Sequence, residues 1–405
     1  MSVSTLEPVP RLALVPPVAQ ARALIQHMDA RTLEDQRTIA CIAAPPFGES
    51  ARAAWMRGAL QDAGASAIEE DREGNVTARL EGSDDDAAPV IIAAHLDSVF
   101  PDGTALHLRE EGRRLLLPGI ADNARGLAAM LALVRAMRQA GLQPRRTLVF
   151  AATVGEEGVG DLRGVKYLLC DGSPLRDAAA FIALDGTEVR RIVTRSVGSR
   201  RYRVVLRGPG GHSWADRGTV NPAHAVGTVI VELGRVRLAP APAWSLNIGR
   251  IGGGTSVNAI PEEAWLELDL RSDDAASLAT LELRAMQAID KAVALVNADR
   301  RRTGAAIRAE TLAIGVRPAG ATPADAPLVQ AARAATRYIG RRPELVASST
   351  DANVPMALGI PAIAIGAGGE SGGMHTLHEW YENERGSEGI VRALLTLLAV
   401  AGVSR

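Results

Sequence analysis

The sequence lacks the features that would direct it to nucleic acid, to a membrane or to export. Its 405 residues carry 45 basic and 46 acidic side chains, so the formal net charge of -1 leaves no basic excess for binding nucleic acid. No apolar run is long enough to cross a bilayer. The first 20 residues contain several prolines and no basic segment followed by an apolar core, so we expect a loose lead-in and no signal peptide.

Cysteine is also scarce. Cys41 and Cys170 lie far apart and form no CxxC motif, so we interpret them as buried or incidental thiols, not as a disulfide or a thiolate metal site. This cysteine usage fits the reducing cytoplasm, where we expect the protein to be located. A chain of 405 residues exceeds one ordinary hydrophobic core, so we expect two domains.

Apolar runs alternate with amphipathic segments along the chain. The apolar runs predict strands that are buried on both faces, at 89–94, 147–153, 179–184 and 361–365. Helical periodicity predicts helices at 20–42, 49–63, 126–139, 325–339 and 388–400. This alternation predicts an α/β fold with a central mixed, mostly parallel sheet flanked by helices.

The middle of the chain has a different pattern. Alternating residues predict strands at 200–207, 244–251, 264–270 and 305–312, with helices at 221–236 and 275–296. The order β-α-β-β-α-β is that of a split βαβ, or ferredoxin-like, α+β domain. We therefore predict a domain at 199–314 that is inserted into a larger one made of 1–198 and 315–405.

Metal-binding residue types follow the predicted strands. His95 and Asp97 come after the first apolar run, Glu156 and Glu157 after the second, and Asp185 after the third. The carboxyl ends of strands meet at one edge of an open α/β sheet, so these side chains can converge. Taken singly, each also fits a surface loop, a solvated carboxylate pair or a turn.

Two further segments add ligand types. Asp122 precedes a predicted helix, where it or Asn123 could instead be the N-cap. In the glycine-rich segment 372–379, either His375 or His378 could bind a metal. The combined set offers imidazole and carboxylate donors without sulfur, which suits zinc, cobalt or manganese in a hydrolytic site.

The order and spacing of these segments resemble the M20 family of metallopeptidases over nearly the whole chain. The resemblance begins at 44–52 and includes the inserted domain, which the family uses as a lid and dimerisation module. It implies a zinc-peptidase-like catalytic domain with two divalent metal ions, zinc first and cobalt or manganese as alternatives. It also implies a homodimer formed through the lid.

The resemblance implies a role for each metal-binding segment. The implied ligands are His95 and Asp185 for one metal, Glu157 for the second, Asp122 as a bridge, and His375 as the last ligand. His375 fits better than His378 because the family's last ligand stands four residues before a glutamate, here Glu379. The bond after the bridging residue is often cis in this family, so we expect a cis peptide between Asp122 and Asn123.

Catalytic and substrate-binding roles follow from the same resemblance. Asp97 is implied to orient His95, and Glu156 to act as general base for attack of metal-bound hydroxide on an amide carbonyl. The lid residue His212 is implied to help polarise that carbonyl. Substrate contacts are implied for Asn258 and Arg271 in the lid and Gly368 in a pocket loop, although Arg271 equally fits a strand-end ion pair.

Three functions are compatible with this reading. The first is hydrolysis of short peptides by an aminopeptidase or dipeptidase, and the segment 379–381 resembles the peptidase T-like branch more than the deacetylases. The second is hydrolysis of N-acyl amino acids, since both reactions cleave an amide at the same metals. The third is a non-catalytic binder with the same fold, which the presence of Glu156 and every implied ligand disfavours.

Overall fold

The computed structural model describes residues 8–299 and 305–404. The helices are α1 (Val9–Leu12), α2 (Pro16–His27), α3 (Asp29–Ala40), α4 (Ser50–Asp62), α5 (Ala124–Gln139), α6 (Arg163–Leu168), α7 (Pro222–Leu233), α8 (Ala275–Ala298), α9 (Pro327–Tyr338), α10 (Asn353–Ala357) and α11 (Gly386–Ala401). A short 3-10 helix spans Gly158–Gly160.

The strands divide among four sheets. They are β1 (Ser66–Glu70), β2 (Val76–Leu80), β3 (Val90–His95), β4 (Arg109–Glu111), β5 (Arg114–Leu116), β6 (Leu148–Thr153), β7 (Ala180–Leu184), β8 (Arg191–Ser196), β9 (Gly198–Arg207), β10 (Gly211–His212), β11 (Trp244–Gly253), β12 (Ala259–Ile260), β13 (Glu263–Ser272), β14 (Arg308–Arg317), β15 (Gly320–Ala321), β16 (Glu344–Ser348), β17 (Ala362–Ile365), β18 (Glu370–Gly372) and β19 (Trp380–Glu382).

The chain forms two compact units, one of residues 1–196 and 321–405 and the other of residues 197–320. In the first unit the central sheet has the order β1-β2-β6-β3-β7-β17-β8-β15, with β16 also paired to β8. Strands β6, β3, β7 and β17 run parallel to one another. Every residue of these four strands is buried, as their continuous apolar sequences predict.

Helices cover this sheet. Nearly every side chain of α5 is buried, because α5 packs between the sheet and the helices α2 and α3. Helix α11 packs against α9 and also contacts β3 and β7. The predicted α/β class with a mixed, mostly parallel sheet is confirmed. A small antiparallel sheet of the order β18-β19-β5-β4 completes the first unit.

The second unit is an α+β sandwich. Its sheet has the order β11-β13-β9-β14 and is antiparallel throughout. Helices α7 and α8 cover one face, where Val204 and Leu206 of β9 and Leu266 and Leu268 of β13 are buried. A two-stranded sheet pairs β10 with β12.

Some boundaries differ from those that periodicity predicts. The predicted helix at 20–42 is two helices, which break at Met28 because its backbone leaves the helical region and Asp29 favours a new N-terminus. The strand predicted at 305–312 is Arg308–Arg317, because nine of its ten residues pair with β9 along that strand's length. The end of β14 is set by its pairing with β9, and the local sequence of β14 does not predict how far that pairing extends.

The expectation of a loose lead-in is wrong for the described part of the N-terminus, while residues 1–7 lie outside the described residues. Helix α2 begins with Pro16 and Pro17, and proline is well tolerated in a first helical turn. Leu12 and Val18 are buried in the main core. Cys41 and Cys170 are free and exposed, so of the two readings only that of incidental thiols holds. Within the described residues, no helix combines the length and apolar character needed to cross a bilayer.

Candidate metal centre

The parallel strands bring the predicted ligands to one edge of the central sheet. Strand β3 ends at His95, β6 ends three residues before Glu156, and β7 ends immediately before Asp185. These strands are neighbours in the order β6-β3-β7, so their carboxyl ends lie side by side. The fold therefore gathers three segments that are far apart in the sequence.

Asp122 lies between two histidines. Its Oδ1 is 3.0 Å from Nε2 of His95, and its Oδ2 is 3.1 Å from Nε2 of His375. The same Nε2 atom of His375 is 3.1 Å from Oε1 of Glu157. The two oxygens of this carboxylate thus face two different imidazoles.

Donor atoms from these residues form overlapping groups of three. His95, Asp122 and Asp185 form one group, and Asp122, Glu157 and His375 form another, each with its donor atoms within 4.8 Å of one another. Asp122 belongs to both groups. His95, Glu156 and Glu157 meet the same distance limit, so the carboxylate of Glu156 lies at the same cluster.

The electrostatics of the cluster favour a bound cation. Burial, and then the neighbouring carboxylate of Asp122, raise the pKa of Asp185 to about 7. Hydrogen bonds to Asp122 and Glu157 raise the pKa of His375 to about 10. The carboxylates lie close enough together that neighbouring positive charge stabilises them. Nitrogen and oxygen donors without sulfur fit zinc, cobalt or manganese, so these residues fit the metals that the sequence implies.

Asp97 makes more contacts than the orienting role predicts. Its side chain has no exposed surface, and its two oxygens accept hydrogen bonds from the backbone amides of Glu156, at 2.9 Å, and Glu157, at 2.7 Å. Nδ1 of His95 lies 3.5 Å from the Asp97 carboxylate and 3.1 Å from the Asp97 backbone carbonyl. Asp97 therefore holds the turn that carries both glutamates as well as lying against the histidine ring.

Asn123 is the N-cap of α5, which leaves the carboxylate of Asp122 available to the cluster. Its Oδ1 accepts a 3.2 Å hydrogen bond from the backbone amide of Gly126. Its Nδ2 donates to the carbonyl oxygen of Leu184 at 2.8 Å, directly before Asp185. The peptide bond between Asp122 and Asn123 is cis, so that prediction is confirmed.

Two buried carboxylates contact the segments that carry the cluster, and sequence reasoning assigned neither of them a specific role. Glu379 accepts hydrogen bonds from three backbone amides of the segment that leads to Asp122. Asp351 accepts a 2.5 Å hydrogen bond from the hydroxyl of Thr153, the last residue of β6. Burial is the main cause of the raised pKa of Asp185, and the negative charge of Asp351 makes a smaller contribution in the same direction. For Glu379, the one indication in the sequence was its position four residues after His375.

Two predicted residues of this unit are placed differently from the cluster. The side chain of His378 is exposed, whereas His375 contacts both Asp122 and Glu157. The backbone amide of Gly368 donates to the Thr187 carbonyl at 3.0 Å. A Cβ on Gly368 would lie 2.2 Å from the Gly386 carbonyl oxygen, so this glycine permits close packing of the loop against α11.

A cavity of about 610 Å³ adjoins the cluster in the first unit. Asp185 and Met374 lie at its wall, together with Gly366 and Gly369 of the predicted pocket loop. Arg190, Arg341 and Glu388 add charged groups to the lining. This volume is within the range that small-molecule sites usually occupy.

The remaining predicted residues belong to the second unit. His212 of β10 pairs with Ala259 of β12, and the amide of Ser213 donates to the carbonyl of Asn258 at 3.0 Å, so His212 and Asn258 are close neighbours. Nδ1 of His212 accepts a 3.1 Å hydrogen bond from the amide of Trp214, which fixes the orientation of the ring.

Arg271 is engaged in an ion pair within the same unit. Its Nε donates to Oδ2 of Asp269 at 2.7 Å. This contact is the strand-end ion pair that the sequence left open as the alternative to substrate binding, and the rest of the guanidinium keeps further donors.

Comparisons with known proteins identify relatives that match most of the chain. The model of peptidase family M20/M25/M40 matches residues 91–399. Uncharacterized protein YqjE of Bacillus subtilis (strain 168) is 24% identical over 318 residues, which are 76% of this chain and 79% of that protein.

Solved structures share the fold. A tripeptidase from Staphylococcus aureus subsp. aureus Mu50 gives a TM-score of 0.75 at 20% identity, over 92% of this chain and 98% of that one. Aminopeptidase PepT from Bacillus cereus ATCC 10987 gives 0.73 at 21% identity, again over 92% and 98%.

Proposed function

Since the chain belongs to peptidase family M20/M25/M40, we propose that it is a dinuclear metal hydrolase that cleaves an amide bond of short peptides, as an aminopeptidase or dipeptidase does. The position of Asp122 is the observation that carries this proposal. One carboxylate is shared by two groups of three donors and contacts a histidine on each side. Two metal ions that share a bridging carboxylate are a recurrent arrangement in enzymes that hydrolyse amides and esters.

In this proposal the metal ligands are His95, Asp122, Glu157, Asp185 and His375. When bound, the two divalent ions, most simply zinc, lower the pKa of a water molecule and polarise the carbonyl of the scissile amide. Asp97 holds the turn of Glu156 and Glu157 by their amides, so both carboxylates keep a fixed direction. Asn123 ties the segment of Asp122 to the end of β7, which carries Asp185.

Glu156 is the general base of the proposed reaction. Its carboxylate lies within 4.8 Å of donor atoms of His95 and Glu157, so it can accept a proton from the water that attacks the carbonyl carbon. Glu156 then gives this proton to the nitrogen of the leaving amine as the C–N bond breaks. Water is thereby divided between the new carboxylate and the new amine, and the glutamate returns to its starting state.

Short peptides are the proposed substrates because of the cavity and the relatives. A volume of about 610 Å³ accommodates a few residues, and its charged lining suits polar groups. The two solved relatives are described as an aminopeptidase and a tripeptidase. An N-acyl amino acid would present the same amide to the same donors, and that alternative is an outcome of the test below.

The second unit is proposed to act as a lid and as the dimerisation module. His212 is proposed to help polarise the scissile carbonyl, with Asn258 and Arg271 as contacts to the substrate. Gly368 of the first unit is proposed to shape the pocket loop. We also propose that the protein forms a homodimer and is located in the cytoplasm.

The test combines metal content with hydrolysis of a small panel. Purified protein should contain about two zinc ions per chain and should release amino acids from di- and tripeptides with a free amine. Glu156→Gln should keep the metal content and lose turnover, whereas Glu69→Gln, at an exposed position on β1, should behave as the wild type.

Three results would contradict the proposal in different ways. Activity only on N-acetyl or N-benzoyl amino acids would move the substrate class to the amidohydrolases. Full activity of Glu156→Gln would show that Glu156 is not the general base. A protein that holds no metal and hydrolyses nothing after reconstitution with zinc, cobalt or manganese would be a binder with this fold.

A further inference from the structure

Glu379 is a buried side chain that contacts backbone instead of belonging to the groups of metal donors. It has no exposed surface. Oε1 accepts hydrogen bonds from the amides of Ala121, at 2.9 Å, and Asp122, at 3.1 Å. Oε2 accepts a third from the amide of Gly119 at 2.9 Å. One carboxylate therefore accepts from three of the four backbone amides between Gly119 and Asp122.

The backbone of Glu379 contacts the same segment. Its carbonyl oxygen accepts a 3.1 Å hydrogen bond from the amide of Leu117. The next residue, Trp380, pairs with Leu116 in the small antiparallel sheet. The two chain segments are thus joined by backbone pairing at one end and by the Glu379 carboxylate at the other.

These contacts connect two of the proposed ligands. His375 precedes Glu379 by four residues. The backbone amide of Asp122 itself donates one of the three hydrogen bonds to the Glu379 carboxylate. The imidazole of His375 lies 3.1 Å from the carboxylate of Asp122. A displacement of either segment would change this distance, and metal binding tolerates only small errors in ligand position.

A carboxylate suits the position of Glu379 because both of its oxygens accept hydrogen bonds and neither donates one. Three amide donors face its two oxygens, and an ionised carboxylate accepts at both. A glutamine of nearly the same shape would turn an NH₂ group toward one side, so at least one buried amide would face a donor instead of an acceptor.

We propose that Glu379 is a positioning residue that fixes the bridging Asp122 and the ligand His375 at the spacing that metal binding requires. The inference rests on the proposed function, because it takes both residues as ligands. Glu379 acts through backbone and touches neither substrate nor metal in this arrangement. Loss of its carboxylate should therefore lower the affinity for metal while the metal-free protein still folds.

The test measures zinc affinity without substrate. Wild type, Glu379→Gln and Glu382→Gln are stripped of metal and titrated with zinc against a chromophoric chelator, and the thermal midpoint of each metal-free protein is recorded. Glu382 is the last residue of β19, three positions after Glu379, and its carboxylate pairs with Arg113 and Arg114 at the surface. Glu379→Gln should weaken zinc binding about 10- to 100-fold, the usual effect of removing a group that orients a ligand. Glu382→Gln should leave the affinity unchanged.

The outcomes separate this inference from the proposed function. A folded Glu379→Gln protein with wild-type zinc affinity would overturn the positioning role alone. A wild type that binds zinc tightly but hydrolyses no peptide or N-acyl amino acid would overturn the proposed function and leave this result standing. A wild type that binds none of zinc, cobalt and manganese would overturn both.

A second variant guards against simple misfolding. If metal-free Glu379→Gln shows no cooperative thermal transition, Glu379→Asp keeps the charge but shortens the side chain by one methylene. A folded Glu379→Asp protein should again bind zinc more weakly than wild type does. Wild-type affinity in that variant would contradict the proposal.

Discussion

The backbone amide of Glu157 donates a 2.7 Å hydrogen bond to Oδ2 of Asp97, a side chain with no exposed surface. Oδ1 of the same carboxylate accepts from the amide of Glu156 at 2.9 Å. Asp97 follows β3 and the two glutamates follow the neighbouring strand β6. The pair therefore locks together the carboxyl ends of two adjacent parallel strands at the point where the proposed base and a proposed ligand stand.

Asp97→Asn should lower both zinc affinity and kcat/KM by about 10- to 100-fold. Asparagine keeps one acceptor, but its NH₂ group would face the amide of either Glu156 or Glu157, so one of the two bonds is lost. Zinc titration and peptide hydrolysis measure the effect. Asp62→Asn, at an exposed position near the end of α4, is the control and should match the wild type. Equal behaviour of the two variants would show that Asp97 holds nothing of functional importance.

His375→Ala and His378→Ala should differ sharply although the two residues lie three positions apart. His375 contacts Asp122 and Glu157, so its removal deletes a proposed ligand and should reduce kcat/KM by more than about 100-fold, beyond the loss for an orienting group. The exposed His378 should be dispensable. Metal content and steady-state kinetics of both variants decide the matter, and a larger loss in His378→Ala would reverse the assignment.

Gly126→Ala should destabilise the protein by about 1–3 kcal/mol, the usual effect of overpacking. The new Cβ would lie 2.3 Å from Oδ1 of Asn123 and 2.5 Å from the carbonyl oxygen of Leu184, so it would displace the cap of α5. Gly58→Ala is the matched control, because it lies in helix α4 with open space around its Cα and should gain about 0.5–1 kcal/mol. Thermal midpoints of the two variants should move in opposite directions, and a midpoint for Gly126→Ala at or above that of the wild type would refute the prediction.

Sequence reasoning goes far where function depends on strand ends. The runs before His95, Glu156 and Asp185 are continuous and apolar, which is typical of strands that are buried on both faces. The parallel arrangement of those strands then brings their carboxyl ends together. Residue type and position thus predicted that these three side chains can converge at one edge of the sheet.

Local patterns could not resolve the choices that depend on geometry. The sequence left both Asp122 and Asn123 as possible caps of α5, and the structure gives the cap to Asn123 because its amide also reaches the Leu184 carbonyl on a distant strand. It left His375 and His378 open until the family resemblance favoured the first. For Glu379 the sequence offered only its spacing of four residues from His375. Its contacts depend on three backbone amides of another segment, which the local sequence does not reveal.

The sequence by itself determined the α/β class, and it predicted an inserted middle segment and strands β3, β6 and β7 that end beside metal-binding residue types. These follow from hydrophobic periodicity, which is a local property of the chain. Only the tertiary structure decided which oxygen of Asp122 faces which histidine, how Asp97 holds two glutamate amides, and where β14 ends. Hydrogen bonds between segments that are distant along the chain set those features, and no local pattern encodes the partner of such a bond.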